Sequence, residues 1–169
     1  LLVQDGFSRL GYPTLEEVCE QQGGFVVNDL ADEQEEMGFE ILENVVKLIY
    51  DDFFPIEKGM PERKIIQNDD ASYHGMAKVY KTAKAVFNSR GIAIRYDIRE
   101  IYLKRVVFKQ GGYYDALATY IHEMCHVFGG DSSNAFSFAL TIAMEKLLSN
   151  YEVVELFKKK WDSVFAGIN

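Results

Sequence analysis

Two long stretches of the chain place hydrophobic residues three and four positions apart, which is the spacing of an amphipathic helix. The first stretch covers about residues 32–54 and ends before Pro55. The second covers residues 72–88 and ends at Asn88-Ser89-Arg90-Gly91, because glycine commonly follows a helix C-terminus. The pattern therefore predicts two long helices. Their apolar positions are Met37, Ile41, Val45, Leu48 and Ile49 in the first, and Met76, Val79, Tyr80, Ala83 and Phe87 in the second.

From residue 92 onward the spacing changes to two, which is the period of a half-buried β-strand. Isoleucine and tyrosine alternate with alanine and charged residues over residues 92–98, and residues 101–109 are rich in β-branched and aromatic side chains. A short turn near Asp97–Glu100 would join the two segments as a hairpin, or residues 98–100 continue one strand. The sequence predicts a small antiparallel sheet in this region.

The rest of the pattern predicts three further helices. One runs from about Asp115 to Phe128, with a glycine pair on either side that breaks the chain. The fold class is therefore α+β: a mostly helical domain with a small antiparallel sheet directly before the third long helix. The last two predicted helices cover residues 131–149 and 151–166.

A length of 169 residues suits one compact domain. We divide this single domain, residues 1–169, into a lead-in segment (1–31), a helical part (32–90) and a part with the sheet and the later helices (91–169). A short helix is expected to begin at Pro13 in the lead-in segment. The first residue is leucine and not methionine, so we expect the chain to be part of a longer protein.

The formal net charge of −8 argues against a partner of the nucleic-acid or anionic-membrane type, because both need a basic surface. Residues 1–60 hold 14 acidic and 3 basic side chains, whereas residues 61–169 hold 12 and 15. The acidic part is either a solvated helix face or an arm that packs on the basic remainder or on a neighbouring domain. Two cysteines are too few for a disulfide scaffold, and no apolar run is long enough for a membrane span of about 20 residues. We expect a cytoplasmic protein.

The third long helix contains His122-Glu123-Met124-Cys125-His126, an HExxH sequence. Residues four apart lie on nearly the same face of a helix, so both imidazoles can reach one metal ion. Glu123 can face a water on that ion without being a ligand, and it can then take the proton of that water. The alternative interpretation is a pair of surface histidines without a metal.

A catalytic zinc ion normally has three protein ligands, and two acids compete for the third place. Asp131 follows His126 by five residues and Glu145 follows it by nineteen. Because a helix rises 1.5 Å per residue, an antiparallel helix that starts near Asp131 is level with His126, and Glu145 lies about 20 Å further along. This favours Asp131, unless residues 131–139 form an irregular loop. The other interpretations are a helix N-cap for Asp131 and a solvent-facing acid for Glu145.

Other side chains near the motif carry weaker signals. His74 could stabilise an oxyanion from across a cleft, although an ordinary surface histidine is the more common role. Tyr113 and Tyr114 could supply a phenol to the same oxyanion, but a core or loop role is favoured. Cys125 is interpreted as a small packed thiol.

The motif and its context resemble the active-site helix of the zincin metallopeptidases, in which a small sheet precedes the HExxH helix. That resemblance implies a Zn²⁺ cofactor, Glu123 as general base and an edge strand that holds a peptide or protein substrate. The glycine turn before Asp131 is similar to that of metzincins but one residue shorter, and the spacing of Glu145 is similar to that of glutamate-helix zincins. The run His122–Asp131, with Phe136-Ser137 and Leu140-Thr141, also resembles an uncharacterised metallopeptidase-like domain at the C-terminus of bacterial GHKL-type ATPases. This second resemblance implies a covalently linked ATPase domain as partner.

The leading hypothesis is a zinc-dependent metallopeptidase, a hydrolase with His122, His126 and Asp131 as metal ligands and Glu123 as the catalytic base. The alternative is a non-catalytic metal-binding domain that regulates or anchors a larger ATPase-containing protein. A third hypothesis is a helical interaction domain without a metal.

Overall fold

The computed structural model describes residues 28–50, 60–66, 74–88 and 91–166. The predicted helix at Pro13 lies outside these ranges. The strands are β1 (Asn28–Asp29), β2 (Glu62–Ile66), β3 (Gly75–Asn88) and β4 (Gly91–Lys104). The helices are α1 (Glu33–Tyr50), α2 (Arg105–Lys109), α3 (Gly112–Cys125), a 3-10 turn (His126–Phe128), α4 (Asn134–Ser149) and α5 (Tyr151–Val164).

The four described strands form one sheet in the order β1-β2-β4-β3. The central strand β4 runs antiparallel to β3 but parallel to β2. The sheet is therefore mixed, and the prediction of a purely antiparallel sheet was wrong in this respect. The α+β class, with the sheet before the HExxH helix, is confirmed. In this sheet β3 is an edge strand.

The segment predicted as a second long helix, residues 72–88, contains the strand β3 instead. Its pairing with β4 is irregular between Lys78 and Val79 and again between Val79 and Ala83. Each irregularity shifts the alternation of side chains, so the apolar positions lose the period of two that marks a strand. The helical part proposed for residues 32–90 is therefore wrong beyond α1, because that range also contains β2 and β3.

The structure contains a hairpin, but its two strands are not the two segments that the sequence predicts. Residues 98–104 continue the strand that begins at Gly91, and the partner of this strand is β3. Residues 105–109, predicted to be a strand, form the short helix α2. The choice of partner depends on contacts between distant segments, which local composition does not encode.

The core lies where α1, α3 and α5 meet the sheet and α2. Fully or nearly buried side chains in this layer are Phe39, Leu42 and Val45 of α1, Ile101 and Leu103 of β4, Phe108 of α2, Leu117 and Tyr120 of α3, and Trp161 of α5. Two residues of the predicted α1 stripe, Met37 and Leu48, are instead exposed. None of the helices within the described ranges is long and apolar enough to cross a membrane.

Acidic side chains of α1 pack on basic side chains from later in the chain. Arg63 of β2 donates two hydrogen bonds to the Glu43 carboxylate, at 2.7 and 2.6 Å, and one to Glu36 at 2.7 Å. Arg105 donates to Glu35, which is 1% exposed. Glu35 and Glu43 therefore pack on basic side chains, whereas Glu33, Glu36 and Glu40 of the same helix are exposed, so α1 has features of both interpretations.

Replacing Arg63 with alanine is expected to lower the free energy of unfolding by about 3 kcal/mol, because the buried Glu43 carboxylate loses its partner. The neighbouring Lys64 pairs with Glu62, whose side chain is 61% exposed, so Lys64→Ala should cost less than about 1 kcal/mol. Urea denaturation of the two variants measures the difference. Equal losses would contradict a special role for the Arg63–Glu43 pair.

Candidate metal centre

The two histidines of the motif lie at the C-terminal end of α3, with ring centroids 5.3 Å apart. The turn after the helix brings Asp131 next to both. Its Oδ1 atom lies 3.2 Å from Nε2 of His122 and 3.6 Å from Nε2 of His126. A tetrahedral ion with bonds of about 2.1 Å separates its ligand atoms by about 3.4 Å. Asp131 is therefore at ligand spacing from each histidine, and the three ligand atoms lie within 4.8 Å of one another, so they could hold one ion.

A local turn explains how Asp131 returns to the histidines. Gly129 has φ 139°, a conformation that side chains with a Cβ rarely adopt, and it reverses the chain after the 3-10 turn. Helix α4 is capped by Ser133, whose hydroxyl oxygen accepts a hydrogen bond from the backbone N–H of Phe136 at 3.1 Å. Asp131 is therefore not the N-cap of this helix, which leaves its carboxylate facing the histidines.

Two contacts fix the orientation of the imidazoles. The Gly129 carbonyl oxygen lies 3.0 Å from Nδ1 of His126. When Nδ1 carries the proton and donates it to this oxygen, the lone pair of the imidazole is on Nε2, the nitrogen that lies beside Asp131. The buried ring of Phe136 packs against both histidines, with centroids 4.8 Å from His126 and 5.0 Å from His122. The local sequence pattern assigns no role to either contact. An apolar residue in the first turn of the next helix is a signal too common to have identified Phe136.

Glu123 is buried beside this cluster and is 4% exposed. Its Oε2 atom lies 3.6 Å from Nε2 of His126 and has no hydrogen-bond partner among the described residues. Burial and the nearby Asp131 carboxylate raise the pKa of Glu123 to about 8, and a hydrogen bond from the backbone N–H of Ala77 partly opposes this shift. A buried oxygen without a partner is costly. A metal ion with a water molecule on it would supply both a positive charge and a hydrogen-bond donor here, so the residues fit such a group.

A cleft of about 610 Å³ opens over the cluster. Residues 74–77, at the start of the edge strand β3, form one wall, and α3 forms the other. The two walls touch at Gly75, where an added Cβ would lie 2.9 Å from Cγ and Oε1 of Glu123. The strand and the helix can approach this closely only because position 75 carries no side chain. No local sequence signal marks Gly75 or Ala77 as part of the site.

Of the other residues that the sequence singled out, some line the cleft and some do not. His74 is exposed and lines the cleft, whereas Glu145 is exposed on α4 and does not belong to the cluster of His122, His126 and Asp131. The phenols of Tyr113 and Tyr114 bond to α5, through the Val154 carbonyl and the Glu155 carboxylate. The thiol of Cys125 is fully buried, and burial raises its pKa to about 12, so it is a packed side chain.

Together the fold and the site define a class of protein: an α+β domain with a candidate His-His-Asp metal centre between a helix end and a sheet edge. No model of a known protein family matches the chain, and no curated protein and no solved structure is significantly similar to it.

Proposed function

We propose that the domain is a zinc-dependent peptidase. The observation that carries this proposal is the buried Glu123 carboxylate, with one unpartnered oxygen beside three side chains that have the spacing of metal ligands. Two histidines and one carboxylate form a donor set that catalytic zinc uses, with a further position left for water. A glutamate beside such a set can act as the base, which a purely structural metal site does not require.

His122, His126 and Asp131 would hold the ion. When bound, zinc supplies Lewis-acid chemistry, since it polarises a carbonyl and makes water more acidic. Oε2 of Glu123 accepts a proton from the attacking water and then donates it to the nitrogen of the departing amine. The Ala77 backbone and the close contact with Gly75 hold the carboxylate in place for both transfers.

The edge strand β3 would bind the substrate. An extended peptide can add to an exposed sheet edge through main-chain hydrogen bonds, and β3 is the edge strand that borders the cleft. The backbone N–H of Ala77 points away from β4, because it reaches Glu123 on the helix side. A peptide bound there would pass directly over the cluster.

Two measurements test the proposal. Elemental analysis of protein purified without added metal should find about one zinc per chain, and a panel of unstructured peptides should be cleaved, with loss of cleavage in a chelator and recovery with zinc. Protein without stoichiometric metal would overturn the proposal. Zinc-loaded protein that cleaves nothing would favour the alternative of a non-catalytic metal-binding domain.

Replacing Gly75 with alanine is expected to reduce cleavage by about 10- to 100-fold, because the new Cβ would displace the Glu123 carboxylate. The zinc content should not change, since Gly75 does not touch the ligands. The matched control is Gly130→Ala, beside Asp131, where an added Cβ meets nothing within 4 Å. Steady-state kinetics and metal analysis of both variants check this. Full activity of Gly75→Ala would contradict the proposed role of the contact.

A further inference from the structure

The two histidines of the candidate metal centre are held by the protein in different ways. The side chain of His126 is 18% exposed, and its Nδ1 atom lies 3.0 Å from the Gly129 carbonyl oxygen. The side chain of His122 is 42% exposed, and among the described residues its only polar contact is the one with Asp131. Within that part of the chain, His122 therefore lacks the second hydrogen bond that usually fixes the orientation of a metal-binding histidine.

The ring of Phe136 makes an aromatic contact with His122. The two ring centroids lie 5.0 Å apart and the angle between the ring planes is 77°, an edge-to-face geometry that aromatic pairs prefer. The same phenyl ring lies 4.8 Å from the His126 ring at an angle of 32°. Phe136 therefore contacts both imidazoles at once. A rotation of the His122 side chain away from its present orientation would break the edge-to-face contact.

Phe136 is itself held in place by the start of α4. Its side chain is 3% exposed, and its backbone N–H donates a hydrogen bond to the hydroxyl oxygen of Ser133, the N-cap of this helix. Ser133 follows Asp131 by two residues, so one short segment places both the carboxylate and the phenyl ring against the histidines. A buried ring at a capped helix end is packed too closely to move freely, so it can hold an imidazole without a metal ion.

We propose that Phe136 is a positioning residue of the metal centre, whose ring holds the His122 imidazole in its ligand orientation before the ion binds. This inference rests on the proposed function, from which it takes the identity of the ion as zinc. A ligand that is fixed in advance loses little side-chain freedom when the ion binds, so the affinity of the site is higher. Phe136 acts through His122, and it takes no part in the transfer of protons.

The first test compares two variants with the same chemical change. Phe136→Leu removes the flat ring and keeps an apolar side chain, and Phe157→Leu does the same at a buried position of α5, where the Lys160 ammonium lies over the ring. Competition with a chromophoric chelator should show about tenfold weaker zinc binding by Phe136→Leu, the lower end of the effect of an outer partner. Zinc binding by Phe157→Leu should stay within about twofold of the wild type, because the two sites are independent. Equal zinc affinities of the two variants would overturn the inference.

A second measurement needs no substitution, so it decides the question even if Phe136→Leu fails to fold. In the metal-free wild-type protein, NMR order parameters of the ring carbons should be as high for His122 as for His126. A mobile His122 ring would overturn the inference.

Peptide cleavage separates this inference from the proposed function. Zinc affinities that differ as expected, without cleavage of any peptide by the wild type, would overturn only the peptidase function. Cleavage by the wild type, with equal zinc affinities of Phe136→Leu and Phe157→Leu, would overturn only the positioning role of Phe136.

Discussion

Replacing Glu123 with glutamine is expected to reduce peptide cleavage by about 10²- to 10⁴-fold, the usual contribution of a general base. Glutamine has nearly the same shape, so it can occupy the pocket between Gly75 and the histidines, but it cannot accept the proton of the attacking water. Removing a buried, poorly paired carboxylate also relieves a desolvation cost, so the variant should be folded and at least as stable. Single-turnover or steady-state kinetics on any cleaved peptide measure the loss.

Zinc binding provides the control for this experiment. Because Glu123 is not one of the three proposed ligands, Glu123→Gln protein should retain about one zinc per chain. Glu145→Gln makes the same chemical change on an exposed site of α4 and should leave both zinc and activity unaltered. Retention of full activity by Glu123→Gln would contradict the assigned base, and loss of zinc from it would instead point to Glu123 as a ligand.

Replacing Asp131 with alanine should weaken zinc binding by at least about 100-fold. Even an outer partner of a metal ligand is worth 10- to 100-fold in affinity, and the loss of a ligand itself should cost more. The distances of 3.2 and 3.6 Å from Asp131 to the two histidines are the reason to place it in the ligand set. Competition with a chromophoric chelator gives the affinities, and cleavage should fall in parallel.

The matched comparison is Glu145→Ala, since Glu145 was the other acid that the spacing of the sequence allowed. It lies on α4 apart from the cluster, so its replacement should leave zinc affinity within twofold of the wild type. If Glu145→Ala lost zinc while Asp131→Ala kept it, α4 would have to move when the metal binds. That result would reject the arrangement of ligands proposed here.

The helices around the site were predictable because their signals are local. The glycine pairs that bound the HExxH helix and the 3.6-residue period within it depend on neighbours a few positions away. The structure has helix over Gly112–Cys125 and a 3-10 turn to Phe128, close to the predicted 115–128. The strand β3 was not predictable in this way. Two irregularities in its pairing hid the period of two, and its partner β4 is the element that stabilises it as a strand.

The candidate site also has some features that depend on local sequence and others that depend on contacts between distant segments. The sequence by itself determined that His122 and His126 share a face and that Glu123 lies beside them. It also determined that a glycine turn can return Asp131 to the same end of the helix. Each of these features follows from residues less than ten positions apart. Only the tertiary structure decided which acid lies beside the histidines, that Phe136 supports both rings, and that Gly75 and Ala77 of the edge strand hold the Glu123 carboxylate. These contacts join elements that are distant in the chain, and their geometry depends on how a helix packs against a sheet edge, which no local pattern of residues specifies.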